Sequence, residues 1–191
     1  MSQKLGQAAV LSAEQWARLE KYANPTHRLI WALCRFTAAR ISEALRLTVG
    51  DVYRDPAKRE HFPEIVYPRE IRKGRDKNHP VPVSSALSIY LKAYTPSLAS
   101  DDWLFPGQKG NHLSYEAAIK YLQSCRNKAG LHNLKISTHS GRRSCLTELA
   151  RNGTNIRVIQ SISGHASLSN LQRYIEVDPK QKINALEGIF S

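Results

Sequence analysis

The chain has 191 residues, enough for one well-cored domain, and carries 28 Lys and Arg against 16 Asp and Glu, a formal charge of +12. That surplus suits a polyanionic partner, because cations that neutralise phosphates release condensed counterions. No stretch approaches the ~20 apolar residues that cross a bilayer, and the opening MSQKLGQAAVLSAEQW lacks the basic flank and long apolar core of a signal peptide. Cys34, Cys125 and Cys145 are odd in number and show no CxxC spacing, which argues against a disulfide framework. The expectation is a soluble, cytoplasmic, nucleoid-associated protein with no membrane partner.

In chain order, Ser12 is placed to cap a helix running to about Ala23, with Glu14 in its first turn. Pro25 suits the first turn of a second helix, whose Leu29, Ile30, Leu33, Cys34 and Phe36 are spaced for a buried face. A third helix is expected over about Ile41–Leu47. Glu64–Tyr67 and Arg69–Ile71 read as extended, Lys73–Asn78 as a polar turn, and Pro80–Val83 as a short strand that its prolines confine to a sheet edge. Ser84 then caps a helix to about Tyr94, and Ser114 caps one that ends near Gly130. Further helices are expected over about Ser140–Asn152, from Thr154 or Asn155 through Ile162, over Leu168–Ile175, and from Pro179 to about Ile189. The fold class is therefore mainly α with a small antiparallel β-sheet. Residues 1–191 read as one domain, with 1–10 an N-terminal arm and 179–191 a tail helix.

Four segments carry chemistry. Arg40 stands at a helix start with Glu43 one turn later, so a guanidinium could grip a phosphate while the glutamate orients it; a surface arginine beside a capping glutamate would read the same way. Lys73 opens the polar turn, where a lysine could deliver a proton or simply keep a hairpin tip soluble. His139 and Arg142 lie three apart at a helix start, on one face and beside the positive end of the helix, although a capping or core histidine fits too. Gly164 allows a sharp turn that presents His165, and Tyr174 follows nine residues later in a segment that would also suit core packing.

Taken as an ordered series over more than 130 residues, Arg40, Lys73, His139-x-x-Arg142, Gly164-His165 and Tyr174 resemble the tyrosine recombinase (phage integrase-like) family. The densest part is Thr138–Val177, which includes Asn152-Gly153 and Ile156-Arg157-Val158-Ile159-Gln160; the likeness extends over essentially the whole chain from about Leu11. The resemblance implies that Tyr174 attacks a DNA phosphate to form a 3′-phosphotyrosyl bond, freeing a 5′-hydroxyl. It implies that Arg40 and Arg142 clamp the non-bridging oxygens, that Lys73 protonates the departing oxygen, that His139 assists proton removal from Tyr174, and that His165 hydrogen-bonds the phosphate. Lys77 is the alternative lysine, since hairpin length varies. No metal, ATP or other cofactor is implied. Double-stranded DNA, a homo-tetramer on that DNA and DNA-bending accessory proteins are the implied partners.

The chain departs from the family pattern in four places. Ala38-Ala39 stands where relatives often have Gly-Leu, Ser140-Gly141 replaces Asp-Leu, and Arg143 replaces a second histidine. Only about ten residues precede the first helix, too few for the separate N-terminal core-binding domain of most relatives. The chain then corresponds either to an excised catalytic domain or to a short single-domain member, such as the fimbrial-switch invertases. The Ile183, Leu186, Ile189 and Phe190 spacing suits an apolar docking face, on a neighbour or on the chain's own domain. Rival readings are a DNA-binding protein of this fold that no longer recombines, a helix-turn-helix regulator built on Ser144–Ser163, and a type IB topoisomerase.

Overall fold

The structure, a computed structural model, describes residues 7–72, 77–172, 183 and 186–187. Lys73, Tyr174 and most of the expected C-terminal helix lie outside the described residues. Helices dominate: α1 (Ala13–Glu20), α2 (Pro25–Phe36), α3 (Ile41–Ala44), α4 (Ser85–Ala93), α5 (Tyr115–Lys128), α6 (Ser140–Arg151), α7 (Ile156–Ser163) and α8 (Leu168–Gln172). The strands are β1 (Tyr53–Asp55), β2 (Glu60–His61), β3 (Glu64–Tyr67) and β4 (His79–Pro82). They form two separate antiparallel pairs, β1 with β2 and β3 with β4.

Side-chain chemistry sets the helix ends. Ser12 forms a reciprocal capping box with Gln15, and Ser84 and Ser114 accept hydrogen bonds from the amides of Leu87 and Ala117. Asn24 caps α2 through the His27 amide, with Pro25 in the first turn where its missing N–H has no cost. Gly130, Gly153 and Gly164 all take positive φ just past helix ends. Two expected helices are shorter than their patterns suggest: the first ends at Glu20 and the third at Ala44.

Arg69–Ile71, expected as extended, forms a single 3₁₀ turn instead. The ladder explains the difference. Tyr67 pairs with His79, the first residue of β4, so the chain beyond Tyr67 has no partner strand. Its backbone is satisfied locally, the Ile71 amide donating to the Pro68 carbonyl and the Arg72 amide to Arg69.

Among the described residues, two apolar clusters form the core. The larger unites α1, α2, α4, α5 and the strands around Trp16, Leu19, Ile30, Leu33, Tyr53, Ile65, Leu87 and Phe105. The smaller joins Ala38 to Leu146 of α6, Ile159 of α7 and Leu171 of α8. Each fully buried leucine or isoleucine there contributes roughly 1.5–3 kcal/mol toward holding α7 and α8 against α6 and the α2–α3 turn. The candidate site sits where these two clusters meet. Among the described residues, no helix is long and apolar enough to cross a membrane.

Candidate DNA-cleavage site

Arg142 is the centre of the arrangement. It lies in the first turn of α6 and is only 2% exposed. Its Nη1 donates to the Ala38 carbonyl, and its Nη2 donates to the Ser163 carbonyl at 2.9 Å. Nη2 also lies 3.2 Å from His165 Nε2 and 3.3 Å from Nδ1. One guanidinium thus joins the α2–α3 turn, the end of α7 and the histidine that follows it. A planar five-donor fork can do this; the single nitrogen of a lysine cannot.

His165 is held from two sides. Its Nδ1 is 2.7 Å from Ser163 Oγ, and that hydroxyl lies 3.3 Å from the Gln160 carbonyl. Because a carbonyl can only accept, Ser163 donates to Gln160 and accepts from His165 Nδ1. The Gln160 side-chain Nε2 closes the loop by donating to the His165 carbonyl at 3.0 Å. Gly164 makes the turn possible: its φ of +63° is left-handed backbone, and the Arg72 guanidinium occupies the space a β-carbon would need.

Arg40 opens α3 with Glu43 beneath it. Glu43 Oε2 accepts from the Arg40 amide and Oε1 from Arg40 Nη1, both at 2.8 Å. The Glu43 side chain is 6% exposed and that of Arg40 33%, so a buried carboxylate fixes a guanidinium that still reaches solvent. His139 precedes α6 and is open to solvent. Partial shielding of its ring, then the charges of Arg142 and Arg40, hold its pKa below the ordinary 6.5. The neutral, proton-accepting form is therefore favoured near pH 7.

The structure gathers Arg40, Glu43, His139, Arg142 and His165 from three separate parts of the chain. Lys73 and Tyr174 belong to segments outside the described residues. Lys77 is exposed, and its carbonyl accepts from Arg72 Nη1 at 3.1 Å. Three participants were not legible in the sequence: Ser163, Arg72 and His79. A cleft of about 780 Å³ is lined by residues of the 7–15 segment, α2 and α6, including Arg143, and by none of the five gathered residues.

The phage integrase family model matches residues 9–181. The chain belongs to this family. It is similar to a tyrosine recombinase of Pseudothermotoga lettingae, at 32% identity over 170 residues, covering 87% of this chain and 54% of that protein. It is equally similar to a tyrosine recombinase XerC of Rhodospirillum centenum, at 32% identity over 190 residues, covering 96% of this chain and 50% of that protein. The chain thus spans about half the length of these relatives. Its fold matches the XerA recombinase crystal structure with a TM-score of 0.72 at 24% identity, over 99% of this chain and 65% of that one. It also matches the catalytic domain of bacteriophage HP1 integrase, with a TM-score of 0.63 at 24% identity and 95% of each chain covered.

Two departures from the family pattern now have physical accounts. Ala38 holds a left-handed φ of 54°, which costs an L-residue roughly 1–2 kcal/mol against glycine. Its methyl is fully buried in the smaller cluster, and that burial recovers roughly 0.8 kcal/mol. An alanine is therefore tolerated where this phage integrase relative bends its chain toward Arg142. At Gly141, a β-carbon would stand 2.9 Å from Cys34 Cβ, so the glycine lets α6 press directly onto α2.

Proposed function

We propose that this protein is a tyrosine-type site-specific recombinase, or the catalytic domain of one, that cleaves and rejoins double-stranded DNA through Tyr174. The observation that carries the reading is the buried Arg142 fork, held by the Ala38 and Ser163 carbonyls with His165 upon it. An arginine so immobilised presents charge to a phosphate without reorganising during reaction. Arg40, braced by Glu43, supplies a second cation that still reaches solvent.

In the proposed cycle the Tyr174 hydroxyl attacks the phosphorus, and neutral His139 assists removal of its proton. The bond to the 5′-oxygen breaks, and that oxygen leaves as a hydroxyl with a proton from Lys73. Arg40, Arg142 and His165 stabilise the negative charge of the pentacoordinate state. The 3′-phosphotyrosyl bond retains the energy of the phosphodiester, so a 5′-hydroxyl from another strand can reverse each step. Exchange between two duplexes calls for four copies of the chain, and DNA-bending proteins would assist that assembly.

The test begins by selecting a binding site from a random duplex library with Tyr174→Phe, which should bind without cutting. The selected site is then built into a nicked suicide duplex. The expected result is a denaturation-resistant protein–DNA adduct with the native chain and none with Tyr174→Phe. Gel retardation by both chains, with no adduct from either, would instead identify a binding protein of the same fold.

A further inference from the structure

Two side chains outside the family series meet at Gly164. His79 is the first residue of β4. Its Nε2 lies 2.9 Å from the Ile162 carbonyl, so in this pair the ring nitrogen must be the donor. Ile162 immediately precedes Ser163, which accepts from Arg142 through its carbonyl and from His165 through its hydroxyl. One hydrogen bond therefore ties the β3–β4 hairpin to the segment that places His165.

Arg72 makes the second link. It is 7% exposed and leaves the 3₁₀ turn that follows β3. Its Nη1 bonds the Lys77 carbonyl, while its Nη2 occupies the place where a β-carbon on residue 164 would stand. The His79 ring lies 3.2 Å from the same point. One residue following β3 and one opening β4 thus fill the notch left by one glycine. Desolvation, with the nearby charges of Arg72 and Arg142, holds the His79 pKa below 6.5 against the opposing pull of the Ile162 bond and Glu43, keeping the ring neutral near pH 7.

We infer that Arg72 and His79 are positioning residues that lock the β3–β4 hairpin onto the α7–His165 segment and so set the geometry of His165 against Arg142. This role rests on the recombinase reading but is separable from it. Neither residue needs to touch DNA. Both act through His165, and a displacement of about 1 Å at a reacting centre can slow a step on the order of 100-fold.

The test measures single-turnover adduct formation on the selected suicide duplex at saturating protein, alongside DNA affinity. His79→Ala should slow adduct formation on the order of 10- to 100-fold with little change in affinity. His79→Gln, which restores an N–H donor toward Ile162, should recover most of the rate. In a His165→Ala background, His79→Ala should cost little more, because residues acting through one another are not additive. An undiminished rate in His79→Ala, no recovery in His79→Gln, or a full-sized loss in the His165→Ala background would overturn the lock. A second readout needs no DNA: the imidazole carbon–proton signal of His165 should move in His79→Ala and return in His79→Gln. If the native chain forms no adduct, the recombinase reading fails, while an unmoved His165 signal would separately refute the lock.

Discussion

Gly164 and Gly153 form a built-in comparison. Both sit just past helix ends in left-handed backbone, with φ of +63° and +71°. A β-carbon at either position costs roughly 1–2 kcal/mol through the backbone alone, or about 2–8 °C in Tm for a domain of this size. Their surroundings differ. A β-carbon on Gly153 would meet nothing within 4 Å, whereas one on Gly164 would take the place of Arg72 Nη2 and stand 3.2 Å from the His79 ring. The Arg72 guanidinium is the far end of a long side chain, but it is buried and bonded to the Lys77 carbonyl, so Gly164→Ala should lose more stability than Gly153→Ala. Their activities should part too. Gly164→Ala displaces the groups that seat the His165 turn and should slow single-turnover adduct formation at least about tenfold, a barrier rise of about 1.4 kcal/mol. Gly153→Ala should cleave at the native rate. Thermal denaturation of both variants, with adduct kinetics on the selected duplex, reads the two quantities separately. Equal cleavage rates, or a loss in Gly153→Ala matching that in Gly164→Ala, would refute the reasoning.

Further expectations concern the arginine and two histidines. Arg142→Lys keeps a charge but cannot span the Ala38 and Ser163 carbonyls, so cleavage should fall on the order of 10²–10³-fold while DNA affinity changes little; matched losses in rate and affinity would remove its transition-state role. Because the His139 pKa is lowered, its neutral form persists down through pH 6.5, and the acidic limb of the cleavage profile should lie below that value. His139→Gln should flatten this limb, and a limb retained in that variant would assign it to another group. His27 is buried, with its ring stacked 3.7 Å from Tyr121, and desolvation lowers its pKa from 6.5 to about 4. The folded state resists its protonation, so its contribution is fully present above pH 6.5 and is lost as pH falls toward 4, by at most about 3 kcal/mol. Urea denaturation across that range should show a shallower pH slope in His27→Gln; an unchanged slope would contradict the assignment.

The sequence carried those features that depend on near neighbours. Ser12, Ser84 and Ser114 act on amides within three residues, and Pro25, Gly130, Gly153 and Gly164 answer to local backbone geometry. His139 and Arg142 were readable because one helical turn puts them on one face. Features made by distant contacts were not readable. Arg72 and His79 stood at the two edges of the expected polar turn, assigned to neither it nor its neighbouring runs, and their meaning appears only where Gly164, more than eighty residues later, leaves a notch. Ser163 resembled any serine near a helix end until its hydroxyl was seen between His165 and Gln160. The β1–β2 pair escaped notice because strands of three and two residues are too short to show alternation. Arg69–Ile71 misled for a related reason: an extended-looking run becomes a strand only where a partner continues alongside it.

The central claim is that this phage integrase relative joins itself to DNA through Tyr174. The most direct measurement is mass spectrometry of protease- and nuclease-digested adduct, together with end-labelling of the released strand. The account predicts a nucleotide mass on the peptide containing Tyr174, attached through the 3′-phosphate, and a free 5′-hydroxyl on the departing strand. A nucleotide on any other residue, a 5′-phosphoryl linkage, or cleavage with no attached nucleotide would contradict it.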